Sequence, residues 1–206
     1  AAKAPEGELA DALFNDPSLT PESEAERFID AEKGFADIKA VLEGAKYILM
    51  ERFAEDANLL ASLRSYLKDN AILSARVIAG KEHEGAKFRD YFEYDEPINR
   101  VPSHRALAVF RGRGLEILDA KLLQPLEPDP SQPSLAEGKL AGLLGWSHSG
   151  RAADDLLRKC VAWTWRVKLS MSIERDLFTR LREQSEKVAI KVFADNLRDL
   201  LLAAPA

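Results

Sequence analysis

The chain has 206 residues, 46% hydrophobic and 31% charged, with a formal net charge of -5. Such a length holds one large domain or two small ones, and the composition is that of an ordinary globular protein. The acidic total excludes a global basic field, so any nucleic-acid site must be a local patch, and the single cysteine, Cys160, excludes an intrachain disulfide and a cysteine-rich zinc site.

The N-terminal AAKAPEGE lacks both a starting methionine and the apolar core of a signal peptide. A processed product or a portion of a longer chain is expected. Thr20 predicts a helix N-cap, with Pro21 at the first helical position. Phe35, Ile38, Leu42, Ala45, Leu49 and Phe53 step by three and four, which predicts a helix. Leu59, Leu60, Leu63 and Leu67 predict a second one, ended by Asn70. AILSARVIAG (71–80) is ambiguous between a helical turn and a short strand. Pro97 and Pro102 punctuate the chain before RALAVF, which has a helix pattern. In Arg111-Gly112-Arg113-Gly114, Gly marks a helix exit and Arg suits the negative dipole end. LEILDAKLL (115–123) is the best strand candidate.

Four prolines from Pro125 to Pro133 predict an exposed loop. From Arg151 to Ala204 there is neither Gly nor Pro, which predicts helix throughout. Leu169, Ile173, Leu177 and Leu181 recur at i+4, and Val188, Val192, Phe193, Leu197, Leu200 and Leu201 are read as continuing one apolar face. At 1.5 Å per residue, forty such residues span roughly 60 Å. A helix of that length must bend, break near Ser170-Met171-Ser172, or run out to meet something else. The fold class is mainly α, a multi-helix domain with a long C-terminal helix and a small β element near 115–123. The expected organisation is a 1–124 helical part, a 125–134 loop and a 135–206 helical part, within one compact domain. No apolar run reaches transmembrane length, so no membrane partner is expected.

Two Ser-His pairs invite a hydrolase reading. Ser103-His104 sits where a serine would cap RALAVF, and adjacent helical residues point about 100° apart, which is poor geometry for a nucleophile and its base. Gly145-Trp146-Ser147-His148-Ser149-Gly150 resembles a nucleophile elbow but carries Ser149 where that motif needs glycine. It reads as a turn between helices, with Trp146 packed inward. His83, His104 and His148 are far apart, so no metal site and no cofactor are expected. Arginines are the feature that remains. Between Arg100 and Arg113 there are four and no carboxylate. Arg158, Lys159, Arg166 and Lys168 form a second run around Trp163 and Trp165. Arginine beside an aromatic suits a phosphate backbone and exposed bases, so Arg105, Arg111, Arg113, Arg158, Arg166 and Lys168 are the candidate nucleic-acid contacts. Trp163 and Trp165 cannot share one helix face, so at least one belongs to the core.

KFRDYFEYDEPINRVPSHRALAVFRGR (87–113), LEGAKYILMERFAEDANLLASLR (42–64) and the 163–206 segment resemble the Tex transcription accessory proteins of bacteria. The resemblance is weakest at Ala1–Glu8 and through 124–150. Family members have Asn-Glu-Gly after the Arg-Gly-Arg, where this chain has Gly114-Leu115-Glu116. The resemblance implies a helical portion of a longer protein that also carries an inactive RNase H-like domain, helix-hairpin-helix elements and an OB-type RNA-binding domain. It implies a non-enzymatic scaffold in the cytoplasm, with RNA or DNA bound through the whole protein and RNA polymerase as a further partner. The RNase H-like domain is expected to pack on the C-terminal helix, whose Leu197, Leu200 and Leu201 would otherwise be exposed or pair between copies. Direct nucleic-acid binding by the two basic runs is the alternative, and a Ser/His hydrolase the least supported.

Overall fold

A computed structural model describes residues 5–124, 132–203 and 205. Most of the proline-rich loop, residues 125–131, lies outside the described residues. The protein is mainly α with one small antiparallel sheet. By compactness it divides into Ala1–Leu63 with Pro128–Ser172, and Arg64–Glu127 with Ile173–Ala206.

In the first unit, α1 (Pro5–Asn15) buries Leu9, Ala10 and Leu13 on one face and packs against α3 (Ile38–Glu55). Its two apolar steps are too short a pattern to stand out in the sequence. Thr20 occupies the cap position of α2 (Pro21–Ala25), as expected, although its side chain makes no capping bond. Helix α3 (Ile38–Glu55) starts on Asp37, whose carboxylate accepts from the Ala40 amide at 2.8 Å. Val41, Ala45, Leu49 and Phe53 bury its inner face. Phe35 does not belong to this helix, contrary to the periodicity. Gly34 (φ 86°) turns the chain back, and Asp30 and Phe35 exchange two backbone hydrogen bonds. Helix α4 (Ala57–Asn70) ends at Asn70, as expected. Helices α6 (Leu135–Leu144) and α7 (Asp154–Trp163) complete the unit with a π-helical stretch, Thr164–Leu169. Helix α7 and this stretch pack on α3.

The second unit contains strands β1 (Ile72–Val77), β2 (Glu93–Pro97) and β3 (Leu118–Leu123), in the order β2-β1-β3. The ambiguous 71–80 segment is therefore the central strand, and 115–123 holds an edge strand. Leu73, Ala75, Tyr94, Leu118 and Ala120 face the core, while Arg76, Asp95, Asp119 and Lys121 alternate with them on the other side. Helix α5 (Ser103–Gly114) covers the core face with Ala106, Val109 and Phe110. Gly112 lets it close on β3: a Cβ there would lie 2.5 Å from Leu118 Cδ1 and 2.8 Å from its Cγ. The helix exits at Leu115, and Glu116 takes φ 57°, a conformation that favours glycine.

Helix α8 (Ser170–Ala203) has 34 residues, about 50 Å long. It continues from the π-helical stretch without breaking at Ser170-Met171-Ser172. Ile173, Leu177 and Phe178 are buried, with Phe178 edge-on to Phe110 at 5.8 Å between centroids. The expectation of one continuous apolar face is corrected here. Val188 and Val192 stay on the side of Ile173 and Leu177, but Ile190, Phe193, Leu197, Leu200 and Leu201 centre roughly 160° around the helix from it, because each residue advances about 100°. All of these last five are exposed. No helix among the described residues is long and apolar enough to cross a membrane.

Candidate nucleic-acid interface

The second unit holds Arg105, Arg111 and Arg113 on α5. Ser103 is the first residue of that helix and not its cap: Pro102 takes the cap position, and no side chain bonds the free amides. The expected Ser103 cap is thus absent, because the chain turns helical one residue earlier. Arg113 lays its guanidinium over the Phe178 ring, 4.7 Å from the centroid. Arg105 lies by the Tyr94 hydroxyl. Burial and then Glu96 push the Tyr94 pKa up, and Arg105 only partly opposes them. Arg111 is exposed in the last turn and makes no ion pair among the described residues. Arg105 and Arg111 are six residues apart, about 120° around the helix, so they do not share a face. The carboxylate that precedes these arginines does not pair with them. Asp95 is held by Arg76 from β1 through two hydrogen bonds, of 3.0 and 2.8 Å, which lower the Asp95 pKa.

The first unit holds Arg158, Arg166 and Lys168. Two of them have internal partners. Arg166 Nε donates to Glu137 Oε1 at 2.7 Å, and Glu137 is 3% exposed. Glu137 also completes a capping box: its other oxygen accepts from the Ser134 amide, and Ser134 Oγ accepts from the Glu137 amide. Lys168 pairs with Glu51, keeps that carboxyl below its ordinary range, and sits 5.3 Å from the Tyr47 ring centroid. Arg158 is exposed and makes no ion pair among the described residues. Trp165 is 7% exposed and Trp163 54%, so one tryptophan is core and the other faces solvent, as their spacing requires.

The GWSHSG turn is organised by Asp154, which the sequence reading missed. This carboxylate is fully buried at the first position of α7. Trp146 Nε1 donates to its Oδ1 at 3.0 Å. The amides of Ser149 and Arg151 donate to Oδ2, both at 2.9 Å, and the Arg151 guanidinium reaches both oxygens at 3.1 Å. Burial alone would raise the Asp154 pKa, but these donors outweigh it and hold the group well below the usual carboxylate range. The half-buried Trp146 is therefore fixed by its indole as well as by packing. His148 is taken at both ring nitrogens, by Asp155 at 2.9 Å and by the Gly150 amide at 3.4 Å. Neither is engaged with Ser147. An aspartate nine residues after the Gly-Ser-rich turn begins at Gly145, at the start of an apolar-periodic run, is the signal that would have revealed the anchor.

The family model described as Tex central region-like matches residues 16–193. The chain belongs to the Tex family. Among curated Tex relatives it is 52% identical over 199 residues to Protein YhgF of Escherichia coli (strain K12). It is 43% identical over 198 residues to Transcriptional accessory protein Tex of Neisseria gonorrhoeae, and 42% over 203 residues to Protein tex of Bordetella pertussis (strain Tohama I). Each match covers 96% of this chain and 26% of the relative, so the chain spans about a quarter of the length of these Tex proteins.

Proposed function

We propose that this chain is a non-catalytic helical scaffold within a Tex-like transcription accessory factor of the cytoplasm. In this reading the longer protein binds RNA or DNA, contacts RNA polymerase, and seats its RNase H-like domain on α8. The observation that carries it is the exposed apolar row Phe193, Leu197, Leu200 and Leu201, in a chain one quarter the length of its relatives. An apolar row of that extent is a surface built to be covered. The engagement of both His148 nitrogens away from Ser147 counts against the hydrolase alternative. Filter binding of RNA to the 206-residue chain and to the full-length protein, over a salt series, tests the scaffold role. Tight binding by the full-length protein and weak binding by the chain are expected. Equal affinity would overturn it.

A second reading, direct contact through α5 and α7, is favoured by the exposure of Arg105, Arg111 and Arg158. Neutralising Arg105, Arg111 and Arg113 together should then weaken RNA binding and flatten the slope of log K against log salt by about 0.7 to 0.9 per lost phosphate contact. An unchanged slope would leave these arginines as structural.

A further inference from the structure

The first unit carries a groove that shares Lys159, Trp163 and Lys168 with the second basic run. One wall is a single face of α3, where Lys39, Glu43, Lys46, Tyr47 and Met50 recur at helical spacing. The other is a face of α7 and the π-helical stretch, including Asp155, Lys159, Trp163 and Val167. Two hollows, of about 270 and 500 Å³, share Glu43, Lys46 and Lys159 and so form one trough. From Lys39 to Met50 it runs about 17 Å.

The two ends differ in chemistry. At one end Tyr47 and Val167 are 57% and 58% exposed, with Trp163 as open as they are, over a floor of Met50 and Cys160. Large apolar side chains left this open, with a methionine beneath, suit an aromatic or aliphatic anchor. Burial pushes the Cys160 thiol up to about 12, so it stays a neutral apolar surface there. The other end mixes charges. Lys46 pairs with Glu43, and Asp155 with His148, whereas Lys39 and Lys159 are exposed and make no ion pair among the described residues.

That pattern separates two kinds of occupant. A nucleic-acid strand brings a phosphate every residue and would set some of them against Glu22, Glu43 and Asp155, which also line the trough. A peptide can place carboxylates only where the unpaired lysines stand. We propose that this groove binds an acidic amphipathic segment of a partner protein. It inserts one aromatic or aliphatic side chain between Tyr47 and Trp163 and sets carboxylates against Lys39 and Lys159. The trough accommodates about three turns of helix. This inference does not depend on how the family binds nucleic acid.

The test is selection from a phage-displayed library of random peptides of about 16 residues against the immobilised 206-residue chain. Binding of the selected peptides is then measured by fluorescence anisotropy. Enriched sequences should carry an apolar anchor flanked by Asp or Glu. Their affinity should fall about tenfold or more with Trp163→Ala and with Lys159→Glu. Circular dichroism melting of both variants should match the parent, since both side chains are exposed. Val167→Asp gives a second, independent disruption of the apolar end. Failure to enrich any peptide, enriched peptides without acidic residues, or equal binding to all three variants would overturn the proposal. So would oligouridylate binding that is lost with Trp163→Ala while selected peptides do not compete for it.

Discussion

Gly112 stands inside α5, where alanine would ordinarily be worth about 1 kcal/mol more than glycine. Contact with Leu118 reverses that preference, because the fully buried leucine has little room to move. Gly112→Ala is expected to destabilise the protein by about 1–2 kcal/mol in urea titration, overpacking exceeding the gain in helix propensity. Glu116 is the opposite case. Its positive φ costs a non-glycine residue about 1 kcal/mol, so Glu116→Gly should raise stability by about 0.5–1 kcal/mol. A lower melting temperature for that variant would show that Glu116 has a compensating contact. Asp154 is the most consequential single residue. Asp154→Asn leaves donors to a buried carboxylate without their charge and should cost about 3 kcal/mol. Its folded pKa is depressed, so its contribution is present above the unfolded value of about 4 and is lost as pH falls below that. Acid titration of stability should therefore steepen below about pH 4 in the parent and flatten in Asp154→Asn.

Elements show which basic residues the fold has already used. Arg166 anchors the π-helical stretch to the capping box of α6 through Glu137. Arg166→Ala should lower stability by about 1–2 kcal/mol, since it strands a buried carboxylate, yet leave the RNA affinity of the full-length protein unchanged. A loss of RNA binding without loss of stability would reverse that assignment. The pair of tryptophans was legible in outline from spacing, since residues two apart on a helix face different ways. Which one is buried was not legible: the π-helical stretch and the packing of α3 decide it, placing Trp165 inside and Trp163 at the groove. Ser103 could not be placed to the residue from sequence either. Proline at the cap position and serine one residue later satisfy the same local pattern, and neither supplies a capping bond here.

Over the whole molecule, the compact units change over within α4 and again within α8, since their boundaries fall at residues 63–64 and 172–173. Helix α8 buries Ile173, Leu177 and Phe178 near its start, whereas its apolar residues from Val188 onward, the stripe with Phe193 and Leu200 included, are open. Substituting Phe193 and Leu200 by Glu should leave the melting temperature of this chain unchanged, because both are already exposed. In the full-length protein the same pair should increase proteolysis near α8, if the longer chain covers that stripe. Helix content and the family were legible in the sequence by itself, whereas the turn at Gly34, which the periodicity through Phe35 overran, was not. Helical periodicity, Gly and Pro placement and the 87–113 segment are local properties that need no knowledge of neighbours. Tertiary structure decided the fate of the charges and of the exposed apolar residues. That Arg113 lies over Phe178, that Arg166 bonds Glu137 and that α8 is buried only near its start depend on elements far apart in the chain. Such contacts follow from packing, which one-dimensional spacing does not specify.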